Sequence, residues 1–173
     1  MRFKVCGPFR LPRDGSKLIA HTFNSRKEFW RDVDELYPGL STACGCYVFA
    51  LKRGRRSKPW YVGKAERSIF SNECLAPHKL NHFNAAAIRY GGIPLLYLLP
   101  QLTPRGSFRA PTRAVRPAIR ELESMLIGMG VSKNPDLLNV SGTKMLRKLV
   151  VEGFLNSKPA KRGSANHLRA VFE

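Results

Sequence analysis

The chain has 173 residues, carries 30 Lys+Arg against 12 Asp+Glu, and has a formal net charge of +18. That length suits one compact domain with a core that needs no disulfide support, and the chain is read as a single domain over 1–173. Such a positive field attracts polyanions, with nucleic acid the first candidate and an anionic membrane surface the second. No apolar run approaches the roughly 20 residues that span a bilayer. Met1-Arg2-Phe3-Lys4-Val5 lacks the apolar stretch of a secretory signal, so a cytoplasmic, nucleoid-associated location is expected.

Taken in order, the first twenty residues mix Pro, Gly and basic residues around a short strand near Phe3–Val5. A helix is predicted from Ser25, with Ser25 and Glu28 as a capping box, Phe29, Val33 and Leu36 on its apolar face, and Pro38-Gly39 as its stop. Cys46 to Leu51 reads as a buried strand and Trp60 to Gly63 as a second. The basic stretch from Lys52 to Pro59 joins them as a loop rather than a tight turn. Residues 68–90 read as mostly helical, broken at Pro77 and ended by Gly91-Gly92, and Ile93 to Leu99 is a third strand. After a Pro/Gly/Arg-rich loop from Thr103 to Thr112, Pro117 opens a helix that runs to about Gly130. Asn134-Pro135-Asp136 is a turn, Leu149 to Val151 is either a strand or part of a helix from Thr143, and Ser164 caps a last helix over Ala165–Phe172. The fold class that follows is α/β (α+β), a small, mainly antiparallel three-stranded sheet flanked by helices.

Charge is unevenly placed. No acidic residue occurs between Glu35 and Glu66, or between Glu73 and Glu121. A run of charge is ordinarily a solvated face, but these gaps hold the basic loop with Arg53, Arg55 and Arg56, and then Lys79, Arg89, Arg105, Arg109, Arg113, Arg116 and Arg120. A polyanion partner accounts for that imbalance. The four cysteines, Cys6, Cys44, Cys46 and Cys74, lack zinc-knuckle spacing and read as buried free thiols.

Two triplets carry more specific information. Gly45-Cys46-Tyr47 and, after the hairpin, Tyr61-Val62-Gly63-Lys64-Ala65 resemble the paired signature of the GIY-YIG nucleases, with Cys46 and Val62 in place of isoleucines. The resemblance covers about 45–139 and continues in a helical Glu followed by an Asn. Two glutamates compete. In the helix after Pro117, an apolar stripe of Ile119, Leu122, Leu126 and Met129 leaves Glu121 facing solvent and Glu123 at the edge of the buried face. Glu123-Ser124-Met125-Leu126-Ile127 also suits the family pattern.

The resemblance implies a DNA endonuclease that hydrolyses phosphodiester bonds with Mg²⁺ or Mn²⁺ held through Glu123. Tyr47 would lie beside the attacking water and take its proton, Tyr61 would lie close to the phosphate, and Asn139 would support the site. Lys64, directly after the second triplet, is a candidate contact to phosphate or to a tyrosine. The family's helical Arg has no counterpart here. His78 takes the place of the following His, Cys74 stands four residues before it where the Arg is expected, and Lys79 is the nearest substitute, with Arg67 a poorer one. His82 reads as structural, and Glu73 as a surface residue or partner of Lys79. Arg53, Arg55, Arg56, Arg113, Arg116 and Arg120 are expected to track the nucleic-acid backbone, duplex or branched DNA ahead of RNA. Two alternatives stay open: a binding protein on this scaffold without activity, and a structural RNA-binding protein.

Overall fold

Four segments alternate or concentrate apolar side chains strongly enough to form strands: β1 (Cys6–Arg10), β2 (Gly45–Arg53), β3 (Arg56–Ala65) and β4 (Ile93–Pro100). In this computed structural model they make one antiparallel sheet in the order β1-β4-β2-β3. The residues described are 1–13, 18–19, 22–139, 143, 148, 150–152, 157–159 and 162–172. They divide into two units, 1–138 and 139–173, each treated by itself.

The class is α+β as expected, but the sheet has four strands rather than three. The added strand is β1, which begins directly after the predicted segment at Phe3–Val5; Phe3 makes only an isolated bridge to Gln101. The β2–β3 connection also differs. Arg53 pairs with Arg56, so only Gly54 and Arg55 turn the chain, and Gly54 takes the left-handed φ of 59° that such a turn requires. The basic residues read as a loop are therefore solvent-facing strand residues. Pairing of Phe49 with Tyr61 and of Ala50 with Pro59 leaves Trp60 as an extra, bulged residue. Pro59 costs no ladder bond because β3 is an edge strand.

Helices α1 (Phe23–Leu36), α2 (Phe70–Glu73) and α3 (Pro77–Tyr90) supply the core of one sheet face, where Phe29, Trp30, Val33, Phe70, Leu80 and Phe83 pack with Tyr47, Phe49 and Leu96. Helix α1 begins two residues before the predicted Ser25. Thr22 is the cap, its hydroxyl accepting from the Ser25 amide at 3.2 Å, and Leu36 is exposed rather than on the buried face. Pro77 fills the first turn of α3, and Gly91 at φ 66° ends it.

Helix α4 (Pro117–Lys133) lies on the other face, where Ile119, Leu122 and Leu126 pack with Cys44, Cys46 and Leu99. Met129, predicted for the stripe, is 67% exposed, and Gly130 takes the sheet-facing place. A Cβ at Gly130 would come within 3.1 Å of the Leu137 side chain, which would have to shift by a few tenths of an ångström.

In the second unit, α5 (Ser164–Phe172) starts after Gly163, whose carbonyl accepts from the amides of Asn166 and His167. The expected strand or helix over 143–151 falls largely outside the described residues. Among the described residues, no helix is long and apolar enough to cross a membrane.

Candidate active site

Strand parity decides which side chains meet. Successive strand residues face opposite sides of a sheet, so Tyr47 parts from Cys46 in β2 and Gly63 from Lys64 in β3. The register Tyr47 to Gly63 and Phe49 to Tyr61 puts both tyrosines on the α2–α3 face. Their rings stack at 6.2 Å, and Phe49 stacks on Phe83 at 4.1 Å beneath them. Gly63 is needed for this: a Cβ there would overlap the Tyr47 ring and hydroxyl. The glycine of the second triplet thus makes room for the tyrosine of the first.

The Tyr47 hydroxyl is buried and has no hydrogen-bond partner among the described residues. Burial first, then the negative potential of neighbouring groups, pushes its pKa far above the ordinary value. Burial thus favours the neutral hydroxyl over the phenolate.

Lys79 reaches the pair from α3. Its Nζ donates to the Tyr61 hydroxyl at 2.6 Å and sits 4.9 Å from the ring centroid. Glu73, the residue ending α2, lies 3.9 Å from the same ammonium, so it is the partner of Lys79. Cys74, where an arginine was sought, is fully buried, and burial raises its thiol well above the usual range. The position belongs to the core, and the cation comes from Lys79 instead.

His82, read as structural, stacks against Tyr61 at 6.5 Å and 8°. His78, like His82, is exposed. His78 and His82 are a turn apart on one side of α3, so their spacing alone does not separate them; what does is where the helix meets Tyr61.

On the opposite face, Lys64 forms an ion pair and hydrogen bond with Glu123 of α4. The Glu123 side chain is 18% exposed, while Glu121 faces solvent. Cys46, the cross-strand neighbour of Lys64, donates from Sγ to the Ile119 carbonyl at 3.2 Å. Its pKa is pushed up to about 12, by burial and then by the charge of Glu123. The tyrosine pair and the Lys64–Glu123 pair stand on opposite faces and flank the edge strand β3, with Tyr61 and Gly63 on one side and Lys64 on the other.

The predicted backbone-tracking arginines divide into engaged and free. Glu66, just past β3, accepts from the Arg116 amide at 2.7 Å and from the Arg120 guanidinium at 2.9 and 3.1 Å. Burial alone would raise its carboxyl, but the Arg116 amide and Arg120 together outweigh that and hold it below its ordinary value. Arg120 thus meets Glu66, rather than Glu123, through Nε, while its side chain stays half exposed. The Arg116 side chain donates to the Thr112 hydroxyl at 3.1 Å. Arg53, Arg55, Arg56 and Arg113 are exposed.

Asn139 opens the second unit; it is buried, and its carbonyl accepts from the Thr143 hydroxyl. Within the first unit, the asparagine that braces β3 is Asn134, read from sequence only as a turn residue. Its Nδ2 donates to the Pro59 carbonyl at 2.8 Å and its Oδ1 accepts from the Asp136 amide at 3.2 Å.

The donor set for a divalent ion is small. Among the described residues, no three His, Cys, Asp or Glu side chains converge, and the two carboxylates beside the end of β3, Glu66 and Glu123, already hold Arg120 and Lys64. Mg²⁺ that keeps most of its water needs only one or two carboxylates, so Glu123 fits that mode once Lys64 turns aside. The four thiols are all buried and unpaired. No family model, curated protein or solved structure matches the chain.

Proposed function

We propose that this protein is a metal-dependent endonuclease of the GIY-YIG type, hydrolysing DNA phosphodiester bonds along the edge of β3. The observation that carries the reading is the hydrogen bond from Lys79 to Tyr61, with Tyr47 stacked behind it on a sheet edge that ends in Lys64 and Glu123. A phosphate drawn to this edge meets positive charge from both faces. Lys79 neutralises a phosphoryl oxygen as a point charge, without the two-pronged grip of an arginine. The Tyr61 and Tyr47 hydroxyls donate to the oxygens that gain charge as water attacks. Lys64 exchanges Glu123 for the phosphate, which frees the Glu123 carboxylate to hold a hydrated Mg²⁺ or Mn²⁺. When bound, such an ion supplies Lewis acidity and a water of lowered pKa. His82, stacked beside Tyr61, is placed to shuttle a proton.

A second reading, nucleic-acid binding without cleavage, is favoured by two facts: Glu123 is neutralised by Lys64 and burial keeps Tyr47 protonated. Plasmid DNA incubated with Mg²⁺ or Mn²⁺ separates the two. Nicking is expected from the unsubstituted protein and is lost in Glu123→Ala, which still shifts DNA on a gel. Full cleavage by Glu123→Ala sinks the first reading, and stable binding with no nicking by the unsubstituted protein selects the second. Preference for structured RNA over duplex DNA in competition would transfer the site to RNA.

A further inference from the structure

The α3 face holds a second constellation, at the hairpin tip. Cross-strand pairs share a face, so the pairing of Arg53 with Arg56 and of Leu51 with Lys58 lines three cations along one side of the β2–β3 hairpin. Like charges directly opposite each other are unfavourable, and no acidic side chain among the described residues pairs with any of the three. They border a pocket of about 280 Å³ whose other walls are Leu51, Trp60, Tyr90 and Gly91. The bulged Trp60 packs its ring 4.1 Å from that of Tyr90, the last residue of α3. Trp60 is nearly covered, so half-buried Tyr90 offers the open aromatic surface. The Arg89 guanidinium lies 5.1 Å from the Tyr90 ring.

We infer that this pocket receives one unpaired nucleotide of a nucleic-acid strand, with its base against Tyr90 and its phosphates against Arg53, Arg56 and Lys58. A phosphate alone would need no aromatic wall, and an apolar ligand would need no cations. A base inside a duplex cannot reach a ring, since its faces are already stacked; an unpaired base can, and both aromatic rings and arginine planes are stacking partners for it. The volume suits a single small ligand rather than a duplex. The pocket adjoins the tyrosine pair on β3, where its wall residue Trp60 directly precedes Tyr61, so a strand held at the pocket can continue to Tyr61. This inference rests on the proposed function, and it names the form of nucleic acid that the site takes.

The test uses the full chain in chelator, where nothing is cut, and reads fluorescence anisotropy. Binding is compared for a short oligothymidylate, an abasic oligomer of equal length and a blunt duplex. The oligothymidylate is expected to bind more tightly than the abasic strand. Tyr90→Leu should weaken it about tenfold while leaving the abasic strand unchanged, which also shows that the variant is folded. Tyr90→Phe should retain the preference, and the double substitution Arg53→Ala, Arg56→Ala should weaken both single strands. The inference is overturned if Tyr90→Leu leaves the oligothymidylate unaffected or weakens both strands equally. Displacement by thymidine monophosphate at the oligomer's own affinity overturns it too, in favour of a free-nucleotide site. None of these outcomes depends on whether plasmid is nicked, so the two readings fail separately.

Discussion

The Tyr47 hydroxyl is buried above Gly63 with nothing to bond, and an unsatisfied buried hydroxyl costs about 1–3 kcal/mol. Phenylalanine has the same shape without that cost. Tyr47→Phe is therefore expected to hold or raise stability by about 1–3 kcal/mol in urea denaturation while plasmid nicking falls. Opposite movement of stability and activity is the mark of a group kept for function; a loss of stability would show instead that the hydroxyl is bonded in solution. The tyrosines and Gly63 were legible in the sequence because a hairpin with two triplets fixes their register. The protonation of Tyr47 was not, since it follows from what α2 and α3 bury around it. Nor was the role of His82, because two histidines a turn apart differ only in where the helix meets β3.

Among the elements, β3 and α4 are joined by Glu66, which satisfies the Arg116 amide at the helix start and the Arg120 guanidinium one turn in. Its carboxyl titrates below its ordinary value of 4.5 in the folded protein. A depressed folded pKa gives stability that is present above the unfolded value and lost as pH falls through the folded one. Glu66→Gln is thus expected to cost about 1–3 kcal/mol near neutral pH, with the gap to the unsubstituted protein closing as pH falls below the ordinary carboxylate range. Urea midpoints across pH check this, and a gap that stays constant into acid would remove the carboxylate from the account. Helical phase alone separated Glu123 from Glu121. It could not tell which sheet face α4 covers, because that depends on a one-residue parity in β2. The hairpin tip was misread for a related reason: exposed strand residues on a basic face look like a loop until the register is seen. Pro8 hid β1 in the same way, by breaking the pattern of a short strand.

For the whole molecule, the excess of positive charge was plain in the sequence, but which arginines are free to meet phosphate is a tertiary fact. Each phosphate contact steepens the slope of log K against log salt by about 0.7 for a single strand. The Arg53→Ala, Arg56→Ala variant should therefore lose about 1.4 from that slope with the oligothymidylate. Arg120→Ala should lose less, because Glu66 neutralises its charge. Salt titrations by anisotropy decide it, and equal losses from both variants would refute the division. The same cations bear on β3 as a sheet edge. Backbone groups along an unpaired edge invite another edge, and proteins deter this with lysine, proline and covering segments. Here Pro59 has no N–H to offer, Asn134 and Leu138 occupy the carbonyls of Pro59 and Trp60, and Arg56, Lys58 and Lys64 leave the rest to mutual repulsion between copies. High salt releases bound nucleic acid and screens that repulsion at once. Protein stripped by salt during purification is thus the state in which two β3 edges can zip into one continuous sheet, and desalting it onto DNA, not into plain buffer, is the route that keeps it monodisperse.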